Sequence, residues 1–237
     1  MSRVHIVHLY ASEMNIYGDN GNVAVLRRRL EWRGIPAEVS RVGVGDSLPT
    51  DTHLLVGGGG QDAGQAVITD DLAAKGPDVR AAADAGAPML LICGMYQMAG
   101  HYFDPFDAPR LAGVGLLDLH TRAGPTRLIG NITVESDLGP LVGYENHSGL
   151  TYLGDGARPL GTTALGQGNN GTDGTEGARR DNVVGTYLHG PVLAKAPALA
   201  DYLLAAALAC AGLQRDLEPL DDALAEQAAR VARTRPR

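Results

Sequence analysis

Four apolar residues, Met89-Leu90-Leu91-Ile92, follow Pro88 and stop abruptly at Cys93-Gly94. Their length and character fit a short buried strand that places a thiol at its end. Gly94 permits a sharp turn, and residues 95–100 can begin a helix. A strand–turn–helix lifts the intervening side chain out of the sheet and aims it at the helix N-terminus. Unpaired backbone N–H groups there favour an anion, so a cysteine loses its proton more easily. Serine hydrolases use the same elbow, with a serine where Cys93 stands. The competing reading is a buried structural cysteine, a common fate for a lone Cys beside an apolar run.

Composition narrows the class. With 237 residues, 44% apolar and 5% aromatic, the chain suits one large α/β domain or two small ones with an aliphatic core. The net charge of −7 comes without long blocks of one sign, which argues against nucleic acid as a partner. Cys93 and Cys210 make no disulfide framework. Met1-Ser2-Arg3-Val4-His5 enters a strand pattern with no signal-peptide core, and no apolar run reaches the length of a membrane span. A cytoplasmic protein is expected.

Along the chain, residues 4–10, 37–42 and 53–56 read as strands. A helix is expected over 23–33, capped by Asn22, with Trp32 on its apolar face and Gly34 ending it. This spacing predicts a parallel sheet with crossover helices. The third strand runs into Gly57-Gly58-Gly59-Gly60-Gln61-Asp62, where bare amides let an anionic oxygen approach. A phosphate loop would need Gly-Lys-Ser/Thr, but Lys75 precedes Gly76 and Lys195 precedes Ala196. A simple flexible turn is the alternative. Helices are expected over 63–75 and 78–85. Short strands follow at 117–122, 127–135, 141–144 and 151–153. Residues 154–180 read as a Gly/Asn/Thr-rich loop over the active face, or as disorder. A strand over 181–188 delivers His189. Helices at 198–210, with Cys210 as core filling, and at 222–233 complete a single domain without internal repeat or linker.

Cys93 and His189 both stand at strand ends, which converge on one crevice in an open parallel sheet. A histidine in reach would hold the thiolate and later protonate a leaving amine. The amides of Gly59, Gly60 and Gly94 are candidates for an oxyanion hole. These residues point to cysteine-dependent acyl transfer; a structural role for His189 is the alternative.

Gly58-Gly59-Gly60-Gln61-Asp62, Cys93-Gly94-Met95-Tyr96-Gln97, Tyr144-Glu145-Asn146-His147-Ser148-Gly149 and Gly185-Thr186-Tyr187-Leu188-His189-Gly190-Pro191 together resemble the cobyric-acid-synthase-like class I glutamine amidotransferases. Asn15-Ile16-Tyr17-Gly18-Asp19, Asn169-Asn170-Gly171 and Glu176-Gly177 resemble one branch more closely, the GatD-type glutaminase subunits of lipid II isoglutaminyl synthase. The resemblance covers roughly residues 4–208. It implies a flavodoxin-like, mostly parallel sheet flanked by helices. It also implies that Cys93 attacks the side-chain amide of L-glutamine, so that ammonia leaves and water resolves a glutamyl thioester. Arg127 matches the arginine that holds the substrate, and a guanidinium is suited to gripping an α-carboxylate. Gln97 and Asn146 are candidates for lining the pocket, and His147 for pocket or packing.

By the same resemblance, this chain carries no metal or cofactor. ATP and Mg²⁺ belong to a MurT-like, Mur-ligase-family partner that amidates D-glutamate of lipid II to D-isoglutamine. The alternatives are an amidotransferase for corrinoid side chains and a non-catalytic regulatory module on the same fold. Two positions depart from the family pattern: Met95 replaces a usual glycine, and Pro191 stands where many relatives carry an acid two residues after the histidine. The missing acid can be absent, supplied from elsewhere in the chain, or inserted by the partner. The partner is the expected source.

Overall fold

The computed structural model describes residues 3–235; Met1 and Ser2 of the N-terminal stretch read above lie outside them. Strand β1 (Val4–Leu9) is buried at all six positions, so it lies inside a sheet with both faces covered. The chain then runs through α1 (Asn20–Trp32), β2 (Ala37–Val42), β3 (Leu54–Gly57), α2 (Asp62–Asp84), β4 (Met89–Ile92) and α3 (Gly94–Met98). Strands β5 (Tyr102–Asp104), β6 (Leu111–Ala112), β7 (Leu119–Glu135), β8 (Leu141–Leu153), β9 (Gly161–Leu165) and β10 (Thr175–Glu176) follow. The chain ends with β11 (Ala178–Arg180), β12 (Val183–Thr186), a 3₁₀ turn (Val192–Lys195), α4 (Pro197–Cys210) and α5 (Ala223–Thr234).

The first sheet has the order β11-β12-β4-β3-β1-β2. Every pairing in it is parallel except β11 with β12. This is the doubly wound, flavodoxin-like arrangement, with β1 flanked by β2 and β3 at the point where the strand order reverses. The loops after β1, β3, β4 and β12 therefore leave the same carboxyl edge. The second sheet has the order β10-β9-β7-β5-β6, and β8 also pairs with β7. Residues of both sheets, such as Ile92 and Ile132, belong to one continuous buried cluster. No helix among the described residues is long and apolar enough to cross a membrane.

Several boundaries differ from those expected. The two helices over 63–75 and 78–85 are one, running through Pro77. Its buried residues Ile68, Leu72, Val79 and Ala83 continue a single stripe past the proline. Packing along that stripe outweighs the one backbone bond that proline removes. The four short strands over 117–153 are two long ones. A register shift between Ala123 and Leu128 absorbs Pro125 without ending the strand.

Residues 154–180 are built into the structure through β9, β10 and β11. Asn22 is no N-cap: it lies inside α1, and its Oδ1 accepts the Leu193 N–H at 3.1 Å. Trp32 is 63% exposed, off the buried face of α1. Cys210 is only half-buried rather than core filling.

Candidate active site

At the end of β4, Cys93 has φ 49° and ψ −104°, a conformation that costs an L-residue on the order of 1–3 kcal/mol. Two bonds hold it there. The Cys93 N–H donates to the Thr186 carbonyl at 2.8 Å, and the Cys93 carbonyl accepts the Gln97 N–H at 2.9 Å. The elbow is thus clamped between β12 and α3. The thiol is buried, whereas Cys210 at the end of α4 is partly exposed, with burial pushing its thiol up.

His189, three residues beyond β12, is fully buried. Its backbone is bonded in both directions to Tyr144 of β8, at 2.9 and 3.3 Å. The second sheet thereby fixes the histidine of the first. Tyr17 packs edge-on against the imidazole, ring centroids 4.5 Å apart. Asp19 also stands by the ring and is fully buried, with Oδ1 3.6 Å from His189 Nδ1. At that separation the contact is an ion pair rather than a hydrogen bond. Burial opposes the charged imidazole, yet Asp19 and Cys93 outweigh it and raise the His189 pKa to about 9.

Gly59 lies between these three side chains. A Cβ there would stand 2.8 Å from His189 Cε1 and 3.2 Å from both Cys93 Cβ and Asp19 Oδ2. Gly58 is equally constrained, since a Cβ would fall 2.1 Å from the Met14 carbonyl oxygen. The glycine run is therefore a requirement of close packing between the loops after β1 and β3.

The Gly59 N–H is already committed to Asp19 Oδ2 at 2.7 Å. That removes Gly59 from the oxyanion-hole candidates, because one N–H cannot serve a buried carboxylate and a substrate oxygen with equal geometry. Gly60 and Gly94 face each other, with a Cβ on Gly94 placed 3.1 Å from Gly60 N.

Beneath the elbow is a buried polar floor. Gln65 Nε2 donates to Gln97 Oε1 at 2.7 Å, Gln97 Nε2 to Tyr187 Oη at 3.1 Å, and Tyr187 Oη lies 2.7 Å from Thr151 Oγ1. Gln97 is thus part of the floor, with both ends of its amide bonded to protein. His147 stacks on Tyr187 at 3.5 Å, and its Nδ1–H donates to the Gly149 carbonyl at 2.7 Å. Burial lowers its pKa to about 4, so it is a neutral packing residue in the physiological range. Arg127 is exposed; its Nε donates to Asn146 Oδ1 at 3.0 Å and one Nη to the Asn146 carbonyl at 3.1 Å. Asn146 therefore holds the arginine in place. Among the described residues no group of three or more His, Cys, Asp or Glu gathers to hold a metal.

The structure brings Cys93, His189, Gly60 and Gly94 together, adds Asp19 to them, and assigns Gly59 to holding Asp19. Asp19 belongs to the motif Asn15-Ile16-Tyr17-Gly18-Asp19, where no local pattern marks it as the acid beside His189. The acid next to His189 comes from this chain, not from the position that Pro191 occupies.

The model of the CobB/CobQ-like glutamine amidotransferase domain matches residues 5–197. The lipid II isoglutaminyl synthase (glutamine-hydrolyzing) subunit GatD of Staphylococcus aureus is 37% identical over 98% of this chain and 95% of that protein. Cobyric acid synthase of Sphingopyxis alaskensis is 34% identical over 82% of this chain, but over 40% of its own length. Among solved structures, a glutamine amidotransferase of Thermotoga maritima superposes with a TM-score of 0.55 at 16% identity, covering 98% of this chain and 94% of that one. This last likeness concerns the fold.

Proposed function

The chain belongs to the CobB/CobQ-like glutamine amidotransferase family, and from that premise we propose that it is the glutaminase subunit of a lipid II isoglutaminyl synthase. The meeting of Cys93, His189 and Asp19 around Gly59 carries the reading. Cys93 Sγ attacks the δ-carbonyl carbon of L-glutamine. The oxyanion that forms is met by the amides of Gly60 and Gly94. His189, protonated by the Cys93 thiol, donates to the leaving nitrogen, and ammonia departs as the C–N bond breaks. A water molecule then gives its proton back to His189 and attacks the thioester, releasing glutamate and restoring the thiol. Asp19 holds the imidazole and stabilises its charge throughout.

The ammonia passes to a Mur-ligase-like partner of MurT type, which uses ATP and Mg²⁺ to activate the α-carboxylate of D-glutamate in the lipid II stem. The test is glutamate release from L-glutamine by this chain, alone and with the ligase subunit, ATP, Mg²⁺ and lipid II. One amidated lipid II per glutamate is expected in the complete mixture. Absence of glutaminase activity in both conditions would defeat the proposal.

Two substitutions probe the pocket. Arg127→Ala raises KM for glutamine roughly ten- to a hundred-fold, since a charge-assisted hydrogen-bonded pair contributes about 1.5–3 kcal/mol, while kcat changes little. Steady-state kinetics with an unchanged KM would remove Arg127 from substrate binding. Gly59→Ala pushes the His189 ring off its position, and turnover should fall on the order of 10²-fold. Retention of full activity would show that the ring does not need that position.

A further inference from the structure

A second set of buried carboxylates lies behind the catalytic strand ends, and the chemistry above leaves it without a role. Glu176, at the end of β10, is fully buried. Its two oxygens accept the Thr186 Oγ1–H at 2.9 and 3.0 Å, and Oε1 also accepts the Tyr187 N–H at 2.7 Å. Thr186 Oγ1 in turn accepts the Leu188 N–H at 3.1 Å. The carbonyl of this same Thr186 receives the Cys93 N–H. One carboxylate therefore fastens the turn Thr186–Leu188, which runs from the bond holding Cys93 to the residue before His189.

The loop that brings Glu176 there is itself held by Glu145, the neighbour of the Tyr144 that clamps His189. Glu145 accepts the amides of Gln167 and Gly168 at 2.8 and 2.9 Å. Asn169 Nδ2 donates to the Gly177 carbonyl at 2.9 Å, and Tyr96 Oη donates to Asn169 Oδ1 at 3.0 Å.

We propose that Glu176 is a positioning residue for the Cys93–His189 pair, its ionised carboxylate holding the Thr186–Leu188 turn in the conformation that brings thiol and imidazole together. The inference rests on the reading of Cys93 and His189 given above. The charge matters because both oxygens face donors, Oε1 the Tyr187 N–H and the Thr186 hydroxyl and Oε2 the same hydroxyl, so a proton carried on either oxygen sets one donor against another. Burial pushes Glu176 up to about 7. The Tyr187 amide and the Thr186 hydroxyl pull it down, while Glu145 pushes it up. The titratable groups around it are Glu145 on β8, Tyr96 on α3 and Tyr187 after β12, and no basic side chain among the described residues pairs with it. The turn therefore loses its anionic anchor as pH falls through about 7.

The experiment compares Glu176→Gln with wild type in two assays: glutamine hydrolysis, and alkylation of Cys93 by iodoacetamide followed by mass spectrometry, with Cys210 as internal reference. Glu176→Gln should lower kcat roughly 10- to 100-fold, as small misplacements of reacting groups do. KM should stay within about two-fold on the same ground, and Cys93 alkylation should slow in parallel. The acid limb of the kcat profile near neutrality should disappear. Thr186→Val, which deletes the bridging hydroxyl and leaves Glu176 in place, should reproduce the loss, and Thr186→Ser should recover most of it.

Wild-type kcat and alkylation rate in folded Glu176→Gln, or in Thr186→Val should the first variant not fold, would overturn the proposal. Cys93 reacting no faster than Cys210 in the wild-type chain would instead overturn the reading of Cys93, and the proposal with it.

Discussion

Replacing Cys93 by alanine should abolish glutamine hydrolysis, with turnover falling by roughly 10⁴-fold or more, as expected when a covalent nucleophile is removed. Folding should survive, because the elbow is held by backbone bonds to Thr186 and Gln97 that alanine retains. A glutamine-mimicking diazoketone should add to Cys93 alone; the half-buried Cys210, with its thiol pushed up by burial, should stay unlabelled. Labelling at Cys210, or full activity of Cys93→Ala, would place the chemistry elsewhere. His189→Ala should cost roughly 10²–10⁴-fold in turnover, the usual range for a general acid–base residue. A loss of a few fold would make the ring structural.

Asp19→Asn should be the most damaging substitution outside that pair, lowering kcat by roughly 10- to 10³-fold with KM little changed. Asparagine keeps the shape and can still accept the Gly59 N–H, so the loop should stay in place while the charge beside His189 disappears. The expected change in pH dependence has a definite sign. Burial disfavours the imidazolium, and Asp19 is among the groups that lift its pKa to about 9. Without that carboxylate the imidazolium loses its proton at lower pH, so the alkaline limb of kcat/KM should move down from about 9 toward neutrality. An alkaline limb that does not move would mean that Asp19 does not act on His189. Adding the ligase subunit supplies the other half of the test: if a partner acid is the working one, Asp19→Asn in the complex retains wild-type kcat.

The order of dependence inside the site follows from where its bonds run. Thr186 holds the nucleophile, Tyr144 holds the backbone of His189, and Gly59 holds Asp19. Each side chain proposed for chemistry is thus fixed from a different part of the fold: the end of β12, the body of β8 and the loop after β3. The geometry consequently requires both sheets, even though the carboxyl edge belongs to the first.

The strand–turn–helix at Met89–Gln97, the parallel sheet and the delivery of His189 by a strand were legible in the amino-acid order alone. An apolar run, a glycine and a following helix are local signals, and strand ends in a parallel sheet converge whatever the details of packing. The family resemblance added Arg127, and glutamine as the target of the thiol, to that outline only as implications. Tertiary structure alone decided that Asp19 stands against His189, that Gly59 spends its N–H on Asp19, and that the 154–180 segment is anchored through Glu145 and Glu176. It also carried α2 through Pro77 and merged four short strands into β7 and β8. The physical reason is common to all of these. A carboxylate, a glycine or a proline has several local fates of nearly equal free energy, and contacts with residues distant in sequence select among them.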